Sequence, residues 1–153
     1  MKLTNLKEQL DKIGKDVVAN IIKELLAADK KATGALINSL RYEVLETVDS
    51  VILNIISLDY FENVDKGRRA GAKPPPVKAI IPWVEAKGIK FKGSSVESTA
   101  FVIARSIGIK GIKPLNIKQK IIQDIINNKT QLIQQGYTKD ILEDINNIIK
   151  YNK

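Results

Sequence analysis

Apolar residues recur at spacings of three and four near the start of the chain. Leu6, Leu10, Ile13, Val17, Ile21 and Leu25 are separated by Lys, Glu and Asp. That period predicts an amphipathic helix over 3–30, weakened locally at Gly14, whose ordinary use is to cover a sheet. Thr33 and Gly34 punctuate the chain, and Ala35–Leu40 has room for one further helical turn. From Arg41 to Thr47 and from Val51 to Leu58 the residues turn β-branched and aliphatic, parted by Val48, Asp49 and Ser50. This pattern predicts an antiparallel hairpin. In its second strand Val51, Leu53 and Ile55 fall on one face and Ile52, Ile56 and Leu58 on the other. A strand apolar on both faces is either buried or placed at a subunit contact.

The segment from Glu62 to Pro76 has no apolar period and reads as a long connection, a length common in functional loops. It carries Lys66, Arg68, Arg69 and Lys73 against Glu62 and Asp65. Gly67 and Gly71 supply backbone freedom, and Pro74, Pro75 and Pro76 stiffen the exit. A basic, extendable arm is expected there. Pro76 is placed to open a helix whose face is Val77, Ile80, Ile81 and Val84. Pro82 predicts a kink or a late start, Trp83 a core position, and Gly88 the end.

Ser94 and Glu97 have capping-box spacing ahead of Ala100, Phe101, Ile103, Ala104 and Ile107, which predicts a helix over 95–107 ending near Gly108. Asn116 and Gln119 are candidate caps for another helix with Ile117, Ile121, Ile122, Ile125 and Ile126. Gly136 is expected to stop that run, and Thr138 to cap a last helix carrying Ile141, Leu142, Ile145, Ile148 and Ile149. The reading is an α+β fold: long N-terminal helix, antiparallel β-hairpin, long basic loop, paired helices and a helical C-terminal extension. The corresponding domains are 1–115 and 116–153.

Composition narrows the chemistry. The 153 residues include no His and no Cys, which removes imidazole acid–base catalysis, thiolate chemistry, disulfides and nearly all zinc sites. No run reaches the ~18 apolar residues of a membrane span, and the opening residues lack the apolar core of a signal peptide. Synthesis in a cytoplasm without membrane association is the expectation. The net charge of +8 is concentrated in the middle: residues 60–120 hold thirteen Lys and Arg against four Asp and Glu. A surface facing a polyanion or an acidic protein follows from that asymmetry.

Four phrases then occur in order: Ala28–Leu40, with a small residue before Leu-x-x-Ser-Leu; Asp59–Arg69, where a tyrosine closes the hairpin before Val-acidic-x-Gly-x-Arg; Lys73–Ile89, with Pro-Pro, helix, Trp and Lys-Gly-Ile; and Ala100–Pro114, ending in Gly-Ile-x-Pro. Over residues 28–115 the chain resembles the tail-completion or neck proteins of tailed bacteriophages, the subunits between portal and tail. Past Pro114 it departs from them, adding the helices Ile117–Lys129 and Thr138–Lys153.

The resemblance implies a non-enzymatic structural subunit of the head-tail connector, made in the host bacterial cytoplasm and located in the virion at the head-tail junction. It also implies a homo-oligomeric ring touching portal or adaptor and tail proteins, with genomic DNA passing through the lumen and no cofactor. By motif, Tyr60, Val64, Asp65, Gly67 and Arg68 would set the hairpin-to-loop corner. Pro75, Pro76, Trp83 and Gly88 would set a docking helix. Lys66, Arg68, Arg69 and Lys73 would face DNA or a neighbouring subunit.

Two alternatives carry different chemistry. A basic nucleic-acid-binding module would use the charged middle for phosphates and Tyr60, Phe61 and Trp83 for base stacking. It lacks the turn of a helix-turn-helix reader and any RNP-like aromatic phrase. A metal nuclease would need Asp65 with Glu85 and Lys87 on adjacent strand positions, but Trp83–Lys87 has helical pattern.

Overall fold

The computed structural model describes residues 2–29, 34–48 and 50–151. The expected helix end at 30, Thr33, Asp49 of the hairpin turn and the last two positions of the tail lie outside those residues. The described elements are α1 (Thr4–Ala27), α2 (Ala35–Ser39), β1 (Arg41–Glu46), β2 (Val51–Ile56), α3 (Phe61–Lys66), α4 (Val77–Lys87), α5 (Val96–Lys110), α6 (Ile117–Asp124), a π-helical turn (Ile125–Lys129) and α7 (Thr130–Tyr151). The fold is α+β, a mainly helical chain with one antiparallel hairpin.

The chain divides into two compact units: residues 1–23, 40–57 and 117–153 form the first, and 24–39 with 58–116 the second. The break at 116/117 lies beside the expected boundary. The expected C-terminal extension groups with the N-terminal helix and the hairpin.

In the first unit α1 is organised by its apolar stripe, with Ile13, Val17 and Ile21 buried. Gly14 does not interrupt it. A β-carbon there would come within 2.8 Å of the Tyr42 ring and 2.9 Å of Leu53 Cδ1, so glycine lets the hairpin lie close to the helix. The hairpin pairs Tyr42 with Ile55, Val44 with Leu53 and Leu45 with Ile52. Its turn is closed by the Thr47 N–H on the Ser50 carbonyl (2.8 Å) and the Ser50 N–H on Thr47 Oγ1 (3.0 Å). Tyr42 also donates its hydroxyl to Asp11 Oδ1 on α1 (3.0 Å).

Residues 117–151 run as one helical rod, and neither predicted interruption occurs. Gly136 is buried inside α7, where a β-carbon would meet Asn5 O and Leu6 Cα, both at 3.0 Å. It is a point of close approach to α1, and Thr138 therefore caps nothing. Half-buried positions at 121, 124, 125, 129 and 133 follow the rod, which takes one wider π-helical turn at 125–129. Its loosened carbonyls are met by Thr130, whose Oγ1 donates to Ile126 O (2.8 Å).

α1 and α7 are antiparallel, as three points show: Asn5 meets Asp140, Gln9 meets Gly136, and Asp16 meets Lys129. Asp140 is buried at 2% exposure. Its carboxylate accepts from the backbone N–H of Asn5 (2.8 Å) and of Leu6 (2.9 Å), and from Asn5 Nδ2 (2.9 Å). These are first-turn donors of α1 that no helical carbonyl can reach. A side chain from the far end of the chain thus caps the first helix.

In the second unit α4 packs on α5. Pro76 precedes α4 as expected, but the helix begins at Val77 and continues through Pro82, with no late start. Gly88 closes it in the left-handed region (φ 62°, ψ 24°), its N–H bonded to Glu85 O. Trp83 does not enter the core: it is 37% exposed, while its neighbour Val84 is buried and takes the inward position. The cap of α5 is Ser95, whose Oγ accepts from Ser98 N (3.2 Å), so the Ser94/Glu97 box is displaced by one residue. Gly108 does not end α5. It sits buried within the last turns because Pro74 Cγ would lie 2.7 Å from a β-carbon there. The packed side of α5 is the small set Thr99, Ala100, Ala104 and Gly108, and Phe101 faces solvent.

Candidate functional site

The stretch expected to be an extendable arm is folded at both ends. Tyr60 stands at the N-cap of α3 and half-exposed; its carbonyl accepts from the N–H groups of Asn63 and Val64. Phe61 is buried, so α3 is anchored by the side chain that follows the expected corner residue. Val64 is half-buried. Asp65 is buried, and its carbonyl accepts from Leu115 N (3.0 Å) and Asn116 N (3.1 Å), which ties α3 to the segment after α5. Asn116, read from sequence as a helix cap, takes a left-handed backbone (φ 54°) at this junction.

Next comes a two-way backbone bridge. Arg68 N donates to Ile112 O and Ile112 N to Arg68 O, both at 2.8 Å. It is feasible because Gly67 holds φ 68° and has no side chain: a β-carbon would lie 2.6 Å from Pro114 N. A β-carbon on Gly111, which faces the same segment, would lie 2.8 Å from Ala70 N. The exit is fastened too, with Gly71 N on Gly108 O (2.8 Å). Of the two glycines expected to loosen this loop, Gly67 lets two backbones meet, while a β-carbon at Gly71 would have no atom within 4 Å.

The cations divide accordingly. Arg68 is half-buried and its Nη2 donates to the Lys73 carbonyl, so this guanidinium is turned onto its own loop and does not face outward as expected. Its Nε is buried and finds no acceptor among the described residues. Lys66 pairs with Glu62 four residues back (2.6 Å), and that carboxylate holds the Lys66 ammonium above its usual pKa. Arg69 and Lys73 are exposed and enter no salt bridge among the described residues. The bridge brings two more cations beside them, Lys110 at the end of α5 and Lys113 after Ile112, both exposed and equally unpaired.

Sequence reasoning missed Lys110 and Lys113 because they lie about forty residues from Arg69. The repeated Gly-Ile and the Gly-Arg-Arg phrase were the available signals. Of the expected scaffold residues, Pro75 is half-buried, Pro76 precedes α4 and Gly88 ends it, while Trp83 lies on the solvent side.

A second feature lies in the first unit. The hairpin side bearing Tyr42, Val44 and Leu53 is turned to α1, and the opposite side is open. Leu45 and its cross-strand partner Ile52 are 46% and 43% exposed. Each strand pairs only with the other among the described residues. The last turns of α7 carry Leu142, Ile145, Ile148 and Ile149, all exposed. An open groove of about 650 Å³ beside α1 is lined by charges of both signs, including Lys7, Glu8, Asp11 and Lys15.

Glu85 and Lys87 stand on α4, and Lys87 Nζ pairs with Asp29 (2.7 Å). Among the described residues no three acidic side chains gather as a metal site, and no helix is long and apolar enough to cross a membrane. No protein-family model, curated protein or solved structure matches the chain.

Proposed function

We propose that this chain is a non-enzymatic structural subunit of a bacteriophage head-tail connector, assembling as a homo-oligomeric ring between portal or adaptor and tail proteins. The observation that carries the reading is an uncovered apolar pair on the open side of the hairpin, a side it shares with Arg41, Glu43 and Asn54. Leu45 and Ile52 sit opposite each other, nearly half-exposed, on a two-stranded sheet whose edges have no strand partner among the described residues. Covering that pair stabilises a contact by roughly 2 kcal/mol per subunit, and neighbours arranged in a ring supply the cover at every subunit. Edges of this kind are a hazard in a free protein and an asset in an assembly. The order of the four phrases between Ala28 and Pro114 supplies the choice of assembly.

The test is copy number in purified virions, by mass spectrometry against labelled peptides, relative to the portal subunit. A value equal to the portal's, or a simple fraction of it, is expected. Absence from the particle overturns the reading. Leu45→Lys with Ile52→Lys is expected to lower incorporation while the isolated chain keeps its helical circular dichroism.

A further inference from the structure

We propose that the bridged corner of the second unit, with Arg69, Lys73, Lys110 and Lys113 as its contacts, binds the phosphate backbone of double-stranded DNA without reading sequence. Four exposed cations stand on two chain segments that the Arg68–Ile112 bridge holds side by side. Between 66 and 73, and between 110 and 113, there is no acidic residue at all.

These charges are not consumed by the fold. Two of the carbonyls at the end of α5, where a Lys or Arg would ordinarily be recruited, are taken by main-chain donors: Ile107 O by Gly111 N and Gly108 O by Gly71 N, each at 2.8 Å. Arg68 is the one cation of the corner committed to its own backbone.

The kind of partner follows from what else the corner exposes. A protein interface has a desolvated apolar or aromatic centre inside its polar rim. Here segments 66–73 and 110–113 expose Lys, Arg, Gly and Ala, Ile112 is half-buried, and the apolar area beside them is the single side chain of Ile109, 63% exposed next to Lys110. Such a surface matches a partner that presents charge and little apolar area. Phosphates are that partner, because Arg and Lys donors neutralise them and release counterions. The choice of duplex rests on the connector reading, in which the genome passes the subunit.

The experiment is fluorescence anisotropy of a labelled 20-bp duplex titrated with the full chain at several salt concentrations. Four phosphate contacts predict a slope near −3.6 in log affinity against log salt, about a hundredfold weakening from 50 to 200 mM. Neutralising Arg69, Lys73, Lys110 and Lys113 to Gln is expected to weaken binding more than tenfold at 50 mM and flatten the slope by about 3.6. The same charge change at the exposed Lys78, Lys92, Lys139 and Lys150 is expected to cost less than threefold. Equal losses in the two variants overturn the proposal, as does a wild-type chain with no duplex binding at 50 mM. So does polyglutamate competing as well as duplex at equal charge. Circular dichroism of both variants checks that the fold is kept. Virion copy number reads the connector proposal separately: a chain present in particles that fails to bind duplex removes this inference alone.

Discussion

The two units are fastened by different parts of the polypeptide. In the second, main chain meets main chain: Arg68 with Ile112, Gly71 with Gly108, and Asp65 O with Leu115 and Asn116. In the first, side chains reach across, Asp140 to the start of α1 and Lys129 to Asp16. Backbone fastening makes its demand on glycine, since two chains that close leave no room for a β-carbon. Side-chain fastening demands one correct residue at each end and tolerates its surroundings. The first kind is damaged by adding an atom, and the second by removing one.

The sharpest way to break this contrast is Gly67→Ala. The new methyl group meets Ile112 and Pro114 backbone and fixes an unfavourable φ of 68°, so a loss of about 3–4 kcal/mol is expected. Urea unfolding measures it, and amide exchange should lose protection at Arg68 and Ile112 while Asn5 and Leu6 keep theirs. If all four lose it equally, the units share a single cooperative transition and the contrast fails.

Asp140→Ala, which removes an acceptor, comes next at about 2–3 kcal/mol, with the exchange pattern reversed. Burial pushes the Asp140 carboxyl up, but the N–H groups of Leu6 and Asn5 and the Asn5 side chain outweigh it and hold the group below its ordinary 3.8. A depressed value in the folded chain means that its stabilisation is present above 3.8 and is lost as the pH falls through the folded value. An acid titration of helical signal should therefore show a step below pH 3.8 that is absent in Asp140→Asn.

Gly88→Ala separates strain from crowding. Its φ is 62°, but no atom lies within 4 Å of the added carbon, so only about 1 kcal/mol of left-handed backbone strain is expected. A thermal melt as depressed as that of Gly67→Ala would show that crowding adds nothing. The smallest effect is assigned to Lys129→Met, about half a kcal/mol, because its partner Asp16 is half-exposed. That loss should vanish in high salt.

Much of the fold was legible where a period repeats. The stripe from Leu6 to Leu25 gave α1, and the aliphatic runs around Ser50 gave the antiparallel hairpin, though not its register. Single residues were less legible, and glycine least of all. Gly88 ends a helix, whereas Gly108 and Gly136 lie inside helices, and the sequence around them is alike in polarity. Only the neighbouring segment, Pro74 for one and Asn5–Leu6 for the other, separates a break from a contact. Asp140 was invisible for the same reason: its partners are about 135 residues away, and locally it is one more acid on a polar face. In the basic stretch the charge was legible and its division was not. Arg68 and Arg69 are adjacent and chemically identical, yet the bridge turns one inward and leaves the other free.

The Asp140 cap also has a meaning in time. Asn5 and Leu6 leave the ribosome early, and the carboxylate that satisfies them is made about 135 residues later, roughly ten to thirty seconds at ordinary translation rates. Until then the N–H groups of Asn5 and Leu6 have only water as acceptor, while everything needed to close the Asp65–Asn116 corner has already been synthesised. The basic corner can mature while the hairpin's supporting helix is still waiting for its lock. A chain interrupted before Asp140 would carry a finished charged surface on an unfinished scaffold, so completeness of synthesis is itself a condition for a finished fold.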